Sequence, residues 1–175
     1  MDAKKILALD PANCTGFAHS NGDRGVWNLV AAKGEHQGDR LNRLADYIRG
    51  AYDSLGFDLI AFEDASFGSP NPNVQAMHNE LAGIIKAVAA QCDVDARGVK
   101  PSQIKSFATG NGRAKKHEMI RAAKVKLGID TTNDNIADAL WILAFAEAGF
   151  PQLATKPKVR PRRQSKKQEP QSRMF

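Results

Sequence analysis

An α/β fold, with a mixed five-stranded sheet flanked by helices, is what this sequence predicts, and three observations carry the prediction. Two short apolar runs, residues 6–9 and 59–62, have the length and continuity of strands buried on both faces. Residues 15–20 and 26–32 are strand-like segments joined by Asn21-Gly22-Asp23, a turn that favours an antiparallel hairpin. Apolar residues at helical spacing recur between and after these runs. The order is therefore β-β-β-α-β-α-β-α-α, a sheet with helices packed on its faces.

In chain order, residues 5–10 form the first strand, stopped by Asp10 and Pro11. The segments 15–20 and 26–32 complete an antiparallel meander with it. Leu41, Leu44, Ala45, Ile48 and Tyr52 space a helix over residues 39–55. The run that ends in Glu63 is the fourth strand, and a Gly/Pro/Asn-rich loop follows over residues 66–73. Met77, Leu81, Ile84, Ile85 and Val88 place a helix over residues 74–91, with a broad apolar stripe that could serve as a dimer surface. Residues 94–99 form the last strand. Lys100-Pro101-Ser102 opens a short helical turn, and Thr109-Gly110-Asn111-Gly112 is a loop. Helices over residues 114–127 and 133–149 close the order.

The composition is that of a globular protein, 42% hydrophobic and 25% charged, with a net charge of +6. That charge is unevenly placed. Residues 155–175 carry eight basic side chains against one acid, Glu169, which leaves about −1 for residues 1–154. We expect a folded domain over residues 1–154 and a basic, disordered tail over 155–175 that meets nucleic-acid phosphates. No apolar stretch has the length of a membrane span and no signal-peptide core is visible, so the expected location is the cytoplasm, on the nucleoid. Cys14 and Cys92 make neither a disulfide framework nor a zinc spacing and read as reduced, buried thiols.

The acids carry the chemistry. If the first and fourth strands are parallel neighbours, Asp10 and Glu63 emerge side by side at the carboxyl edge of the sheet, where open α/β sheets place their ligands. Adjacent carboxylates repel, so one must take up a proton or a cation must sit between them. The last helix is apolar on two faces, Ile136, Leu140, Leu143 and Ala144 on one and Trp141, Ile142 and Phe145 on the other. Asp138 lies on the second face with Asp134 one turn earlier, and a buried carboxylate needs a partner. Asn133-Asp134 also has the form of a helix start, where an acid is favoured by the dipole alone. Phosphodiester hydrolysis uses such acids: two divalent cations activate water and neutralise the leaving oxygen, and Mg²⁺ takes oxygen ligands. His36 and His117 stand apart from any ligand cluster.

Four segments resemble one family. Ile6-Leu7-Ala8-Leu9-Asp10, with Thr15-Gly16-Phe17-Ala18, resembles the opening of RuvC-like Holliday junction resolvases. Leu59-Ile60-Ala61-Phe62-Glu63 is similar to their second acidic strand. Pro101, Lys105 and Gly110-Asn111-Gly112-Arg113-Ala114-Lys115-Lys116 resemble their Pro…Lys…Gly-x-Gly-x-Ala-x-Lys stretch, and Asn135-Ile136-Ala137-Asp138-Ala139-Leu140 their Asp-x-x-Asp-Ala-Leu helix. The resemblance implies an RNase H-like fold, a homodimer, and paired nicks across a four-way junction in DNA recombination and repair. It also implies two Mg²⁺ ions per active site, with Mn²⁺ able to substitute. It carries Asp10, Glu63 and Asp138 over as metal ligands, and Lys105 and Lys116 as phosphate or transition-state contacts. Arg113 and Lys115 belong to the same local basic patch and are expected on the DNA for their charge. Where bacterial members have a further Asp three residues before the last, this chain has Asn135, and Asp134 stands in as the expected fourth acid. Phe67 lies one residue from the position of a junction-wedging aromatic in the family.

Two other functions compete. An RNase H-like nuclease for flaps, forks or RNA–DNA hybrids would use the same acids, and the basic tail, unusual for a compact resolvase, fits a phage or organellar variant. An actin-like ATP-binding protein also opens with Asp and a Gly-Thr hairpin, but position 12 is Ala12 and no second phosphate loop follows.

Overall fold

The structure, a computed structural model, describes residues 4–65 and 71–152. Phe67 and the basic segment 155–175 lie outside the described residues. Five strands, β1 (Ile6–Asp10), β2 (Cys14–His19), β3 (Arg24–Asn28), β4 (Leu59–Glu63) and β5 (Asp95–Val99), form one sheet in the order β3-β2-β1-β4-β5. β1, β2 and β3 are the expected antiparallel meander, whereas β4 and β5 run parallel to β1. Five α-helices pack on this sheet: α1 (Asp39–Leu55), α2 (Pro72–Gln91), α3 (Pro101–Thr109), α4 (Lys116–Ala122) and α5 (Asp134–Glu147).

Strand alternation divides the core in two. On one face Leu7, Leu9, Ile60 and Phe62 pack with Leu44 and Ile48 of α1 and with Leu81, Ile85 and Val88 of α2. On the other, Ile6, Ala8, Ala18, Leu59 and Ala61 meet Ile104 of α3, Met119 of α4, and Trp141, Ile142 and Phe145 of α5. The large side chains of β1 and β4 thus face α1 and α2, and several of the small ones face α5. α5 is nearly enclosed, with eight buried residues. Its Trp141 Nε1 donates to the Met119 carbonyl oxygen at 3.1 Å, a buried link to α4.

Several expectations are corrected. β3 stops at Asn28 instead of reaching residue 32, because Asn28 Oδ1 accepts from the Val30 N–H at 2.9 Å and turns the backbone out of the ladder. The short turn at Pro101 is a full helix, α3. The single helix expected over 114–127 is α4 followed by a π-helical turn, Ala123–Leu127, closed by Gly128 at φ 69°. In α2 the apolar stripe is spent inside the molecule: Leu81, Ile85 and Val88 are buried, and Met77 and Ile84 pack against the same cluster. Leu81, Ile85 and Val88 are therefore core, while Met77 and Ile84 are half-buried. Cys14 opens β2 exposed, not buried. Among the described residues, no helix is long and apolar enough to cross a membrane.

Candidate active site

The β1–β4 register pairs Leu9 with Phe62, so the next residues, Asp10 and Glu63, leave the sheet side by side at its carboxyl edge. Alternation from Ala8 and Ala61 puts both acids on the face covered by α5. Across the antiparallel ladder Asp10 is opposite Gly16. A Cβ built on Gly16 would lie 2.0 Å from the Asn135 carbonyl oxygen, so only glycine admits the first turn of α5 here. Ala8, Ala18 and Ala61 keep the rest of the approach close. Asp134 and Asp138, one turn apart on α5, are thereby brought to Asp10. Asn133 fixes the start of that helix, its side chain accepting from the Asn135 N–H at 3.0 Å and the Ile136 N–H at 3.3 Å.

Electrostatics tie the four acids together. Burial, then the charges of Glu63, Asp138 and Asp134, push the Asp10 carboxyl well above its ordinary range, with Lys116 opposing. Burial and the Asp138 charge raise Glu63 to about 7, against the pull of Lys105. Asp138 rises to about 6, chiefly through burial, with Lys105 opposing. Asp134 differs. The Lys116 ammonium donates to its carboxylate, which lowers Asp134 and raises Lys116. No hydrogen bond or ion pair from another described residue reaches the carboxylates of Asp10, Glu63 or Asp138.

Hard oxygen donors that repel one another in a half-buried edge suit a hard divalent cation, which would relieve both desolvation and repulsion. Asp10, Glu63 and Asp138 could hold it, with Asp134 within electrostatic reach. Their carboxylates do not yet converge: among the described residues no three acidic, histidine or cysteine side chains form a ready cation cage.

The raised acids make a stability prediction. A group whose folded-state pKa is raised binds protons on folding, so the folded state loses stability as pH climbs from the unfolded value towards the folded one. Glu63→Gln should therefore stabilise the protein in chelator. The gain should be absent near pH 4.5, grow up to about pH 7, and level off at roughly 1–3 kcal/mol above it. Thermal melts of both proteins across that range check this; a variant that is less stable than the parent at pH 8 would contradict it.

The cations gather on the same side. Lys105 on α3 acts on Glu63 and Asp138, and Lys116 at the start of α4 acts on Asp10 and Asp138. Arg113 and Lys115 are exposed on the segment that leads into α4. A cavity of about 780 Å³ continues from Lys105 past Asp64, His78, Lys100 and Ser102. His78 and Lys100 were not singled out from sequence, because nothing local marks the meeting of α2 with the β5–α3 junction. His36 and His117 are exposed, as expected. A second cavity, about 830 Å³, lies at the opposite end of the sheet beside Ile6, Leu59 and Phe150, and none of the four acids lines it.

The chain matches the family model described as crossover junction endodeoxyribonuclease RuvC over residues 10–146. RuvC from Rhodopirellula baltica is 26% identical over 149 residues, 80% of this chain and 84% of the relative. RuvC from Anaeromyxobacter dehalogenans is 32% identical over 103 residues, 59% of this chain and 55% of the relative, so the chain spans about half the length of that protein. Among solved structures, Thermus thermophilus RuvC in complex with Holliday junction substrate superposes with a TM-score of 0.67 at 18% identity, covering 84% of this chain and 97% of that one. The shared fold is RNase H-like.

Proposed function

The chain belongs to the RuvC family of crossover junction endodeoxyribonucleases, and from that membership we propose that it resolves four-way DNA junctions by paired nicks. The observation that carries this reading is the gathering of Asp10, Glu63 and Asp138 on one sheet edge, with Lys105 and Lys116 beside them.

Catalysis in the family depends on divalent metal; the finer assignment is two Mg²⁺ ions, or Mn²⁺ in their place. Such ions supply an activated water and neutralise the leaving oxygen. Asp10, Glu63 and Asp138 would hold them from three separate elements, and Asp134 would be the fourth ligand. Lys105 and Lys116 bind the phosphodiester and steady the negative charge that grows at the reacting phosphorus. The pKa of Lys116 is raised, so its ammonium keeps its proton and acts as a fixed positive charge, not as a base. Arg113 and Lys115 extend the contact along the backbone of the bound strand.

A four-way junction is nearly two-fold symmetric and one active site cuts one strand, so two cuts call for a homodimer. The domain comprises residues 1–154, and the basic segment 155–175 adds affinity for phosphates without specificity. Deleting that segment should flatten the salt dependence of binding; an unchanged slope of log affinity against log salt would remove it from the DNA interface.

The deciding experiment is a cleavage panel with Mg²⁺, comparing labelled four-way junction, flap, fork, linear duplex and RNA–DNA hybrid, together with sedimentation. A dimer that cuts the junction fastest, and linearises a supercoiled cruciform plasmid without accumulating nicked circles, is the expected result. A monomer that prefers flaps, forks or hybrids would leave a nuclease of other specificity.

A further inference from the structure

The ion pair between Lys116 and Asp134 joins the first residue of α4 to the first residue of α5. Both partners act on the same two acids, since the charges of Asp134 and Lys116 each bear on Asp10 and on Asp138. Asp134 stands one helical turn before Asp138 and so shares its face. Its carboxylate is nevertheless committed to a lysine, and among the described residues no three acids converge into a cage. The lysine side chain is 78% exposed. An ion pair so open to water contributes little and exchanges easily.

We propose that Lys116 and Asp134 form an exchangeable pair that competes with the divalent cations for the fourth carboxylate until a DNA phosphodiester takes up Lys116. This rests on the metal-site reading above and adds an order of events. The single positive charge of Lys116 is matched by the Asp134 carboxylate in the free protein and by a singly charged phosphodiester in the complex. Phosphate uptake by Lys116 shifts Asp134 towards the cations. Full cation affinity then coincides with bound DNA, and the free protein holds metal more weakly. Asn135, whose backbone carbonyl oxygen is packed at Gly16 and whose side-chain amide is neutral, cannot replace Asp134 in the exchange.

The test is calorimetric titration of the DNA-free full chain with Mn²⁺, comparing the parent, Lys116→Met, Asp134→Asn, the double variant and Asp10→Asn. Lys116→Met should bind Mn²⁺ about three- to fivefold more tightly than the parent, the most that competition from so exposed an ion pair can withhold. In the Asp134→Asn background the same change should alter affinity by less than about twofold, because no carboxylate remains to be freed. An equal gain in both backgrounds would mean that Lys116 acts only by distant repulsion, and no gain in either would mean that the pair withholds nothing. Both results overturn the proposal while leaving the site intact. Mn²⁺ binding that survives Asp10→Asn unchanged would instead overturn the metal-site reading itself. Lys116 is exposed, so its replacement leaves the fold in place.

Discussion

Asp10→Asn is expected to lower the rate of junction cleavage by on the order of 10³-fold or more, with junction affinity changed by no more than a few fold. Asp10 sits at the centre of the constellation: it neighbours Glu63 across the parallel ladder and feels Asp138, Asp134 and Lys116 from above. An amide keeps the shape and removes the negative charge, so the variant folds and loses the ligand that Glu63 and Asp138 cannot replace. DNA affinity depends on the basic residues, and removing an anion facing the phosphate can only help it. Single-turnover cleavage alongside filter binding separates the two effects. Cleavage within tenfold of the parent would remove Asp10 from the site, and parallel measurements on Glu63→Gln and Asp138→Asn would then show which acid had been misassigned.

Gly16→Ala should have the second largest effect without touching any charged group. The new Cβ would meet the Asn135 carbonyl oxygen at 2.0 Å, and that oxygen belongs to the backbone of α5, so no side-chain rotation relieves the contact. α5 must retreat by more than about 1 Å, carrying Asp134 and Asp138 away from Asp10; displacements of that size at reacting groups cost around 10²-fold in rate. The strain should also lower stability by roughly 1–3 kcal/mol, as overpacking does elsewhere. Gly38→Ala is the matched control, because a Cβ there meets nothing within 4 Å. Cleavage by Gly16→Ala within threefold of that control would show that the close approach of α5 does not set the site's geometry.

Much of this was legible before any coordinates. The apolar runs ending in Asp10 and Glu63 read as strands, and the condition that they be parallel neighbours is met by β1 and β4. The two-sided apolar pattern of α5 marked Asp138 as an acid that needs a partner, and the helix does prove to be buried on nearly every side. The contact of Asp134 was less accessible. Its place at a helix start was readable, but Lys116 lies 18 residues away on another helix, and no local pattern pairs them. The role of Gly16 was hidden for the same reason: a glycine in a strand signals a close approach, but not by which backbone. One available signal was passed over. Ala8, Gly16, Ala18 and Ala61 alternate with larger residues along their strands, and that alternation names the face on which a helix comes closest. The stripe on α2 showed only that a face is covered, and here the sheet and α1 cover Leu81, Ile85 and Val88.

The buried bond from Trp141 Nε1 to the Met119 carbonyl has a mechanical consequence. It bolts α4 to α5, and with them the lysine at one N-terminus to the acids near the other. The two helices are thereby seated as one unit over the small alanines and the glycine of the sheet. A nearby substitution should therefore preserve the spacing of the two helix backbones, while the exposed Lys116 side chain keeps its ability to change partners. A substitution that shifts the two helices would instead change their gap to Asp10 and Glu63 at the sheet edge.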